Sequence, residues 1–228
     1  MIPILPFEKD FYERYGVNVK YFGHPLLDEI GDRWKVEGDR NEEIALLPGS
    51  RKSEIQRMLP VFVEVARRFP NQQFIIAAMS VHGKDYYESV CGGSIPANVQ
   101  LVFDKTYDVL SQSAVALVTS GTATLETALF KVPQVVCYKT GGITYAIARL
   151  LTRVRYISLV NLILDQQLVR ELIQSGCNVG SISDEMQKLL YDTEYVNDMM
   201  NGYDELSARL GNKGTSERVA EEITKKPL

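Results

Sequence analysis

Between Ile44 and Tyr138 the chain alternates short apolar, β-rich runs with segments of helical periodicity: "IALL", "FIIAAM", "VQLVF", "AVALVTS" and "QVVCY", separated by helical patterns. Few folds accept such a rhythm. Strands separated by helices pair in parallel through right-handed crossovers, which predicts a doubly wound, Rossmann-like α/β sheet. "FIIAAM" and "VALV" are apolar without alternation, as strands covered on both faces must be, so they are expected inside the sheet. A further helix is read over Ile143–Thr152.

The helix after "IALL" carries Ile55, Met58, Leu59, Phe62, Ala66 and Phe69 on one face at 3.6-residue spacing. Ser53 to Gln56 fits a capping box, which predicts a start at Ser53. Pro60 cannot donate to the carbonyl four residues back, so a kink or restart is expected there. After Asn161 the pattern turns helical, around Leu168–Gln174, Ser181–Tyr191, Tyr195–Leu210 and Ser216–Thr224. The first residues differ: "FEKDFYERYGV" reads as a helix and "VKYFGHP" as a strand, together like the last αβ element of another sheet. The organisation expected is therefore 1–25 as a remnant of an amino-terminal domain, 26–43 as a linker, 44–205 as the main α/β domain, and 206–228 as a helix returning to the amino-terminal half.

With 228 residues the chain can bury a substantial core, and 45% apolar and 24% charged residues are those of a globular protein. A net charge of −4 with no basic block disfavours nucleic acid as a partner. Cys91, Cys137 and Cys177 form no CxxC pair, and Cys137 lies in an apolar run, so reduced core thiols and a cytoplasmic setting are expected. No apolar run approaches the roughly 20 residues of a membrane span. The start, "MIPILPFEKDFY", lacks the basic and apolar regions of a signal peptide.

In an open parallel sheet ligands gather at the carboxyl ends of the strands, and two turns there can hold an anion. The first is "ALLPGSRKSEI". Gly49 permits close backbone approach, the amides of Ser50 to Ser53 can point at an anion, and Arg51 offers a planar charged fork for phosphate oxygens. It reads equally well as an ordinary Pro-Gly turn with a solvated arginine. The second is "VTSGTATLE", where Ser120, Gly121, Thr122 and Thr124 precede or open a helix, and Glu126 one turn in can accept two ribose hydroxyls or simply compensate the helix dipole. Two such cradles on one sheet favour a nucleotide diphosphate. Neither GxGxxG nor a Walker lysine motif is present.

A third stretch, "YISLVNLILDQQLVREL", interrupts an apolar run with Asn161, Asp165, Gln166 and Gln167. Side-chain amides both donate and accept, which suits sugar hydroxyls; Asp165 also reads as a helix cap. No acid occurs from Lys131 to Leu164, while Lys139, Arg149, Arg153 and Arg155 are basic, a pattern that fits either a surface meeting anionic lipid or a core helix with solvated arginines. His24 and His82 are the only histidines and lack an acidic partner at ligand spacing, so no histidine metal site or triad is expected.

In order and spacing, "LPFEKDFYERYGVNVKYFGHPLLDEI", "LLPGSRKSEI", "TSGTATLETALFKVPQVVCYK" and "YISLVNLILDQQLVRELIQ" resemble the carboxyl-terminal part of the lipid-A-disaccharide synthase family. The resemblance implies a GT-B glycosyltransferase fold of two Rossmann-like domains, of which this chain is the donor half. It implies an inverting transfer of 2,3-diacylglucosamine from UDP to 2,3-diacylglucosamine 1-phosphate, a phosphoglycolipid acceptor, without a metal or cofactor. Carried across, it places Arg51 and Asn161 in the catalytic machinery. Gly49, Ser50, Ser120, Gly121, Thr122, Glu126, Gln166 and Gln167 fall in the UDP-sugar site. Asp165-Gln166-Gln167 departs from the Gly-Arg-Glu of many members, so hydrogen bonds would replace ionic contacts there. No residue is a persuasive general base, and that group is expected upstream of Met1, which makes the chain a donor half that binds UDP without turning over alone. Contact with the inner membrane through the basic segment, and a homodimer that exchanges carboxyl-terminal elements, are further expectations. An epimerase of UDP-N-acetylglucosamine type and a non-catalytic UDP-binding fragment are the competing readings.

Overall fold

The computed structural model describes residues 1–31, 42–141 and 155–225. In chain order these form α1 (Pro6–Glu13), α2 (Leu26–Ile30), β1 (Ile44–Leu47), α3 (Lys52–Arg68), β2 (Phe74–Ala78), α4 (Lys84–Val90), β3 (Val99–Phe103) and α5 (Thr106–Gln112). There follow β4 (Val115–Thr119), α6 (Ala123–Leu129), β5 (Gln134–Tyr138), α7 (Leu159–Leu164), β6 (Arg170–Ile173), α8 (Val179–Tyr191), α9 (Thr193–Leu210) and α10 (Thr215–Thr224). The helix expected over Ile143–Thr152, with Arg149 and Arg153, lies outside the described residues.

Six strands make one parallel sheet in the order β3-β2-β1-β4-β5-β6. The order reverses between β1 and β4. β2 and β4 are interior, in agreement with their unbroken apolar pattern. One core layer joins Ile44, Leu46, Ile76, Val115 and Leu117 of the strands to α3, α8 and α9; the alternate side chains Ala45, Ile75, Ala116 and Val118 meet Val109 and Leu110 of α5 on the other face. Both faces are thus covered, as a parallel sheet requires.

Two expectations need correcting. "RELI", read as part of a helix, is the edge strand β6, paired with β5 from Val135↔Arg170 to Tyr138↔Ile173. At an edge a strand needs few apolar residues: Arg170 is exposed and Leu172 is buried, and the run RELI shows no polar–apolar alternation that would set it apart from a helix. The sheet therefore has six strands where the sequence suggests five. Helix α3 also runs through Pro60 without restarting. The lost hydrogen bond and ring clash cost about 3 kcal/mol. Six large apolar side chains, from Ile55 to Val65, are buried along the same helix, each worth about 1.5–3 kcal/mol, so packing wins. Pro60 and Gln56 lie on the exposed side, where water can reach the unpaired carbonyl.

The amino-terminal residues sit apart from the sheet. Helix α1 buries no residue. Val19 to Pro25, expected as a strand ending in a turn, has no ladder partner among the described residues. This segment is fixed instead to the carboxyl-terminal helices: Tyr21 Oη donates to Leu210 O at 2.9 Å, and the His24 amide donates to the same carbonyl at 3.0 Å. Residues 26–30, expected as linker, form α2. Its Asp28 carboxylate accepts the amides of Gly214 (2.6 Å), Thr215 (3.3 Å) and Ser216 (2.8 Å), so a distant acid caps the last helix.

Burial opposes ionisation of Asp28, but the bonds from Ser216, Gly214 and Thr215 outweigh it and hold the carboxyl below its ordinary value. A lowered acid is stabilising above its unfolded pKa, and that contribution disappears as pH falls through the folded value. Asp28→Ala is expected to cost about 1 kcal/mol in denaturant unfolding at neutral pH, with faster amide exchange in α10. The difference from the parent should vanish in acid.

Candidate functional site

The parallel ladder of β1 and β4 aligns Leu47 with Val118, and just beyond that pair both strands turn into helices. Pro48 has no amide to extend the ladder. The two turns read from the sequence therefore open side by side around one cavity of about 370 Å³, lined by Gly49, Ser50 and Arg51 from the first and by Ser120, Gly121 and Thr122 from the second. This is the point of strand-order reversal at which open α/β sheets bind ligands.

The first turn carries its own acid. Glu54, one turn into α3, accepts the amides of Ser50 and Arg51 at 3.2 Å each and pairs with Arg51 Nη1 at 2.9 Å. Those two amides, expected to point at an anion, already serve a carboxylate. The helix starts at Lys52, one residue earlier than the box at Ser53 suggests, because Glu54 and not Gln56 closes the cap. The Arg51 side chain is 80% exposed and so remains accessible to a second anion. Gly49 has φ +99°, and a Cβ there would stand 2.5 Å from Glu54 Oε2, so the glycine answers to both backbone and packing. From β2 side, His82 Nε2 lies 2.9 Å from the Ser50 carbonyl, and Tyr86 Oη donates to the Lys52 carbonyl at 3.1 Å.

In the second turn the roles divide. Ser120 is held by the protein: its amide donates to Cys137 O at 3.2 Å and its hydroxyl to Ile157 O at 2.9 Å. Thr124 is buried with its hydroxyl on Gly121 O at 2.8 Å, which removes it from the expected ligand set. Gly121 and Thr122 remain exposed on the cavity. Glu126 lines the same cavity and an adjoining one of about 390 Å³ bounded by Met79, Asp104, Thr106 and Tyr107. Tyr107 Oη donates to Glu126 Oε1 at 3.2 Å, and its ring rests on Phe130 with centroids 5.3 Å apart. Burial raises the Glu126 carboxyl above its ordinary value, and the Tyr107 bond offsets part of that.

The third stretch does not join this cavity. Asn161 is fully buried, donating to Val169 O (2.9 Å) and Glu171 Oε1 (2.8 Å) and accepting the Leu168 and Val169 amides (2.8 and 3.0 Å). All its hydrogen-bonding capacity goes into the loop. Gln166 and Gln167 are exposed, and Gln167 faces a different hollow beside Arg170 and Lys188. Asp165 ends α7 at φ 53°, so the cap expected there closes the preceding helix, and strand β6 follows in place of the expected helix. The link to the site is indirect: Glu171 accepts the Ile157 and Ser158 amides at 2.9 and 3.0 Å, and Ile157 O receives the Ser120 hydroxyl.

Sequence reading missed Glu54, His82, Tyr107, Thr119 and Glu171. Tyr107 was within reach, because "FDKTYD" is also a turn at the carboxyl end of a strand; Glu171 had no local signal, as its partners depend on β6. Of the basic residues proposed for a membrane surface, Lys139 is half-buried and Arg155 exposed, with its guanidinium 5.3 Å from the Tyr156 ring. No helix among the described residues is long and apolar enough to cross a membrane.

The six-stranded parallel sheet covered by helices on both faces is a Rossmann-like fold of the kind found in the GT-B class. Solved structures agree at the level of fold. A Staphylococcus aureus MnaA–UDP co-structure superposes with a TM-score of 0.65 at 13% identity, covering 98% of this chain and 58% of that one. The Methanocaldococcus jannaschii UDP-GlcNAc 2-epimerase in complex with UDP-GlcNAc and UDP gives 0.62 at 12%, covering 99% and 61%. Sequence is more specific: the lipid-A-disaccharide synthetase profile matches residues 1–223. The lipid-A-disaccharide synthase of Syntrophus aciditrophicus is 35% identical over 232 residues, covering 96% of this chain and 61% of the relative, and that of Geobacter sulfurreducens is 35% identical over 237 residues, covering 96% and 60%. The chain belongs to the lipid-A-disaccharide synthetase family, and it spans about 61% of the length of such relatives.

Gly49→Ala is expected to destabilise the fold by about 1–3 kcal/mol, since strain at positive φ and displacement of Glu54 act together. A denaturant titration measures it; an unchanged midpoint would remove Gly49 from this account.

Proposed function

We propose that this chain is the donor-binding half of an inverting glycosyltransferase of lipid A synthesis, which moves 2,3-diacylglucosamine from UDP to 2,3-diacylglucosamine 1-phosphate. One observation carries the reading: the PGSR and SGT turns meet at a single cavity, with Glu126 joining it to a second hollow. In this reading the diphosphate lies between Arg51 and the Gly121–Thr122 backbone. The ribose hydroxyls bond to Glu126, and the base enters the hollow beside Met79 and Tyr107. Cleavage of the sugar–phosphate bond leaves negative charge on UDP, which the Arg51 fork and the backbone amides stabilise as it develops. Arg51 then exchanges part of its pairing with Glu54 for the phosphate.

The acceptor's 6-hydroxyl must lose a proton as it attacks. We assign that base, with the acceptor half and the arrangement of domains around 26–43, to the part of the relatives that this chain does not span. Asn161 keeps a place in the machinery only as the core of the loop that reaches Ser120; Gln166 and Gln167 would meet the sugar only if that loop moved. An epimerase reading shares the cavity, and the fold neighbours named as UDP-GlcNAc 2-epimerases favour it. The family match at 35% identity favours the transferase.

Titration calorimetry with UDP tests the donor site. The parent chain should bind UDP, and Arg51→Ala should weaken binding at least tenfold, the scale of a charge-assisted hydrogen bond. A well-folded parent that binds no UDP would sink the reading. Ribose hydroxyls donate to the ionised Glu126, so affinity should fall with decreasing pH, beginning above the ordinary carboxylate range because burial raises this group. Glu126→Gln should abolish that pH dependence. Joined to the acceptor half of such a relative, the chain should yield disaccharide from the two glycolipids and no epimerised sugar.

A further inference from the structure

Three buried side-chain atoms among the described residues have no hydrogen-bond partner: Thr119 Oγ1, Gln134 Oε1 and Gln174 Nε2. A buried polar atom without a partner has lost its bond to water and gained none in return, so each calls for a reason. Gln134 stands at the amino-terminal start of β5, and Gln174 follows β6 at the sheet edge; neither lines the cavity between the two turns. Thr119 does. It is the last residue of β4, only 4% exposed, and pairs across the ladder with Cys137, whose thiol is also fully buried.

Its position gives the unmatched hydroxyl a direction. Val118 is aligned with Leu47, so Thr119 lies one step past the last β1–β4 pair, beside Pro48. It lines the cavity together with the Gly49–Arg51 turn and the Gly121–Thr122 turn. By strand alternation its side chain shares the face of Val115 and Leu117, the face that α3 covers. Arg51 and Glu54 at the start of α3 line the same cavity. In the second turn two hydroxyls are taken, Ser120 by Ile157 O and Thr124 by Gly121 O, and unlike those of Ser50 and Thr122 on the exposed rim the Thr119 hydroxyl is buried.

We infer that Thr119 is a ligand-binding residue, whose hydroxyl donates a hydrogen bond to the diphosphate of a nucleoside diphosphate lodged between the two turns. The inference rests on the donor-site reading above and adds to it a residue lining the site. The energetic logic is asymmetric. In the free protein the hydroxyl is a liability; in the complex it gains a charged acceptor, the stronger class of hydrogen bond. Valine has the same shape and branching and suits a strand at least as well. Removing the hydroxyl should therefore leave the free fold as stable or more so while harming the complex.

The test measures thermal unfolding and UDP affinity for the parent, Thr119→Val and Thr119→Ser. The inference expects Thr119→Val to melt at or above the parent temperature yet bind UDP about tenfold more weakly, with Thr119→Ser keeping near-parent affinity. Equal UDP affinity in the valine variant overturns it. So does a valine variant that melts well below the parent, which would give the hydroxyl a partner within the fold. So does equal weakening by serine and valine, which would assign the effect to packing. A parent that binds no UDP fails the donor-site reading first, and is told apart because all three proteins are then silent.

Discussion

The alignment of Leu47 with Val118 in the β1–β4 ladder is the contact on which the site depends. Parallel strands fix register through their side-chain burial, and a one-residue slip would turn Ala45, Leu47, Ala116 and Val118 away from their core. With that register in place, two strand ends and two helix starts fall side by side, and the PGSR and SGT turns share a cavity instead of facing separate surfaces. Pro48 ends the ladder at this point and leaves the crevice open.

The two turns are built differently. The SGT turn presents exposed backbone next to a helix start, while its serine is tied to the 157–158 loop. The PGSR turn holds its amides with Glu54 and extends Arg51 outward. In the proposed reading a diphosphate in this crevice would meet a wall held by hydrogen bonds on one side and the exposed Arg51 charge on the other. Glu171 and Asn161 act behind the SGT wall, gathering the amides of residues 157, 158, 168 and 169 so that Ile157 O meets Ser120. Polar residues that look like sugar contacts in the sequence thus become the skeleton of the loop.

Much of the fold was legible because unbroken apolar runs and 3.6-residue stripes are local signals. β1 through β5 and the helices after β1 to β4 follow from such runs, and so does the placing of the two Gly-containing turns at strand ends. β6 was not legible, since a four-residue edge strand without polar–apolar alternation inside "LVRELIQ" has a helix former's composition and declares itself only by its partner β5. Pro60 misled for the opposite reason: a local rule was outweighed by long-range burial of α3. At the site, Gly49, Arg51, Gly121, Thr122 and Glu126 were visible as residue types at strand ends. Glu54 as the partner of the turn, Tyr107 on Glu126 and the orphan hydroxyl of Thr119 required coordinates, because each depends on distances across elements.

The central claim is that the crevice between β1 and β4 holds a nucleoside diphosphate. A crystal structure of the chain grown with UDP tests it most directly. The account predicts the diphosphate between Arg51 and the Gly121–Thr122 backbone, with the ribose against Glu126. UDP bound elsewhere on the sheet, or with its phosphates turned to solvent away from both turns, would contradict it.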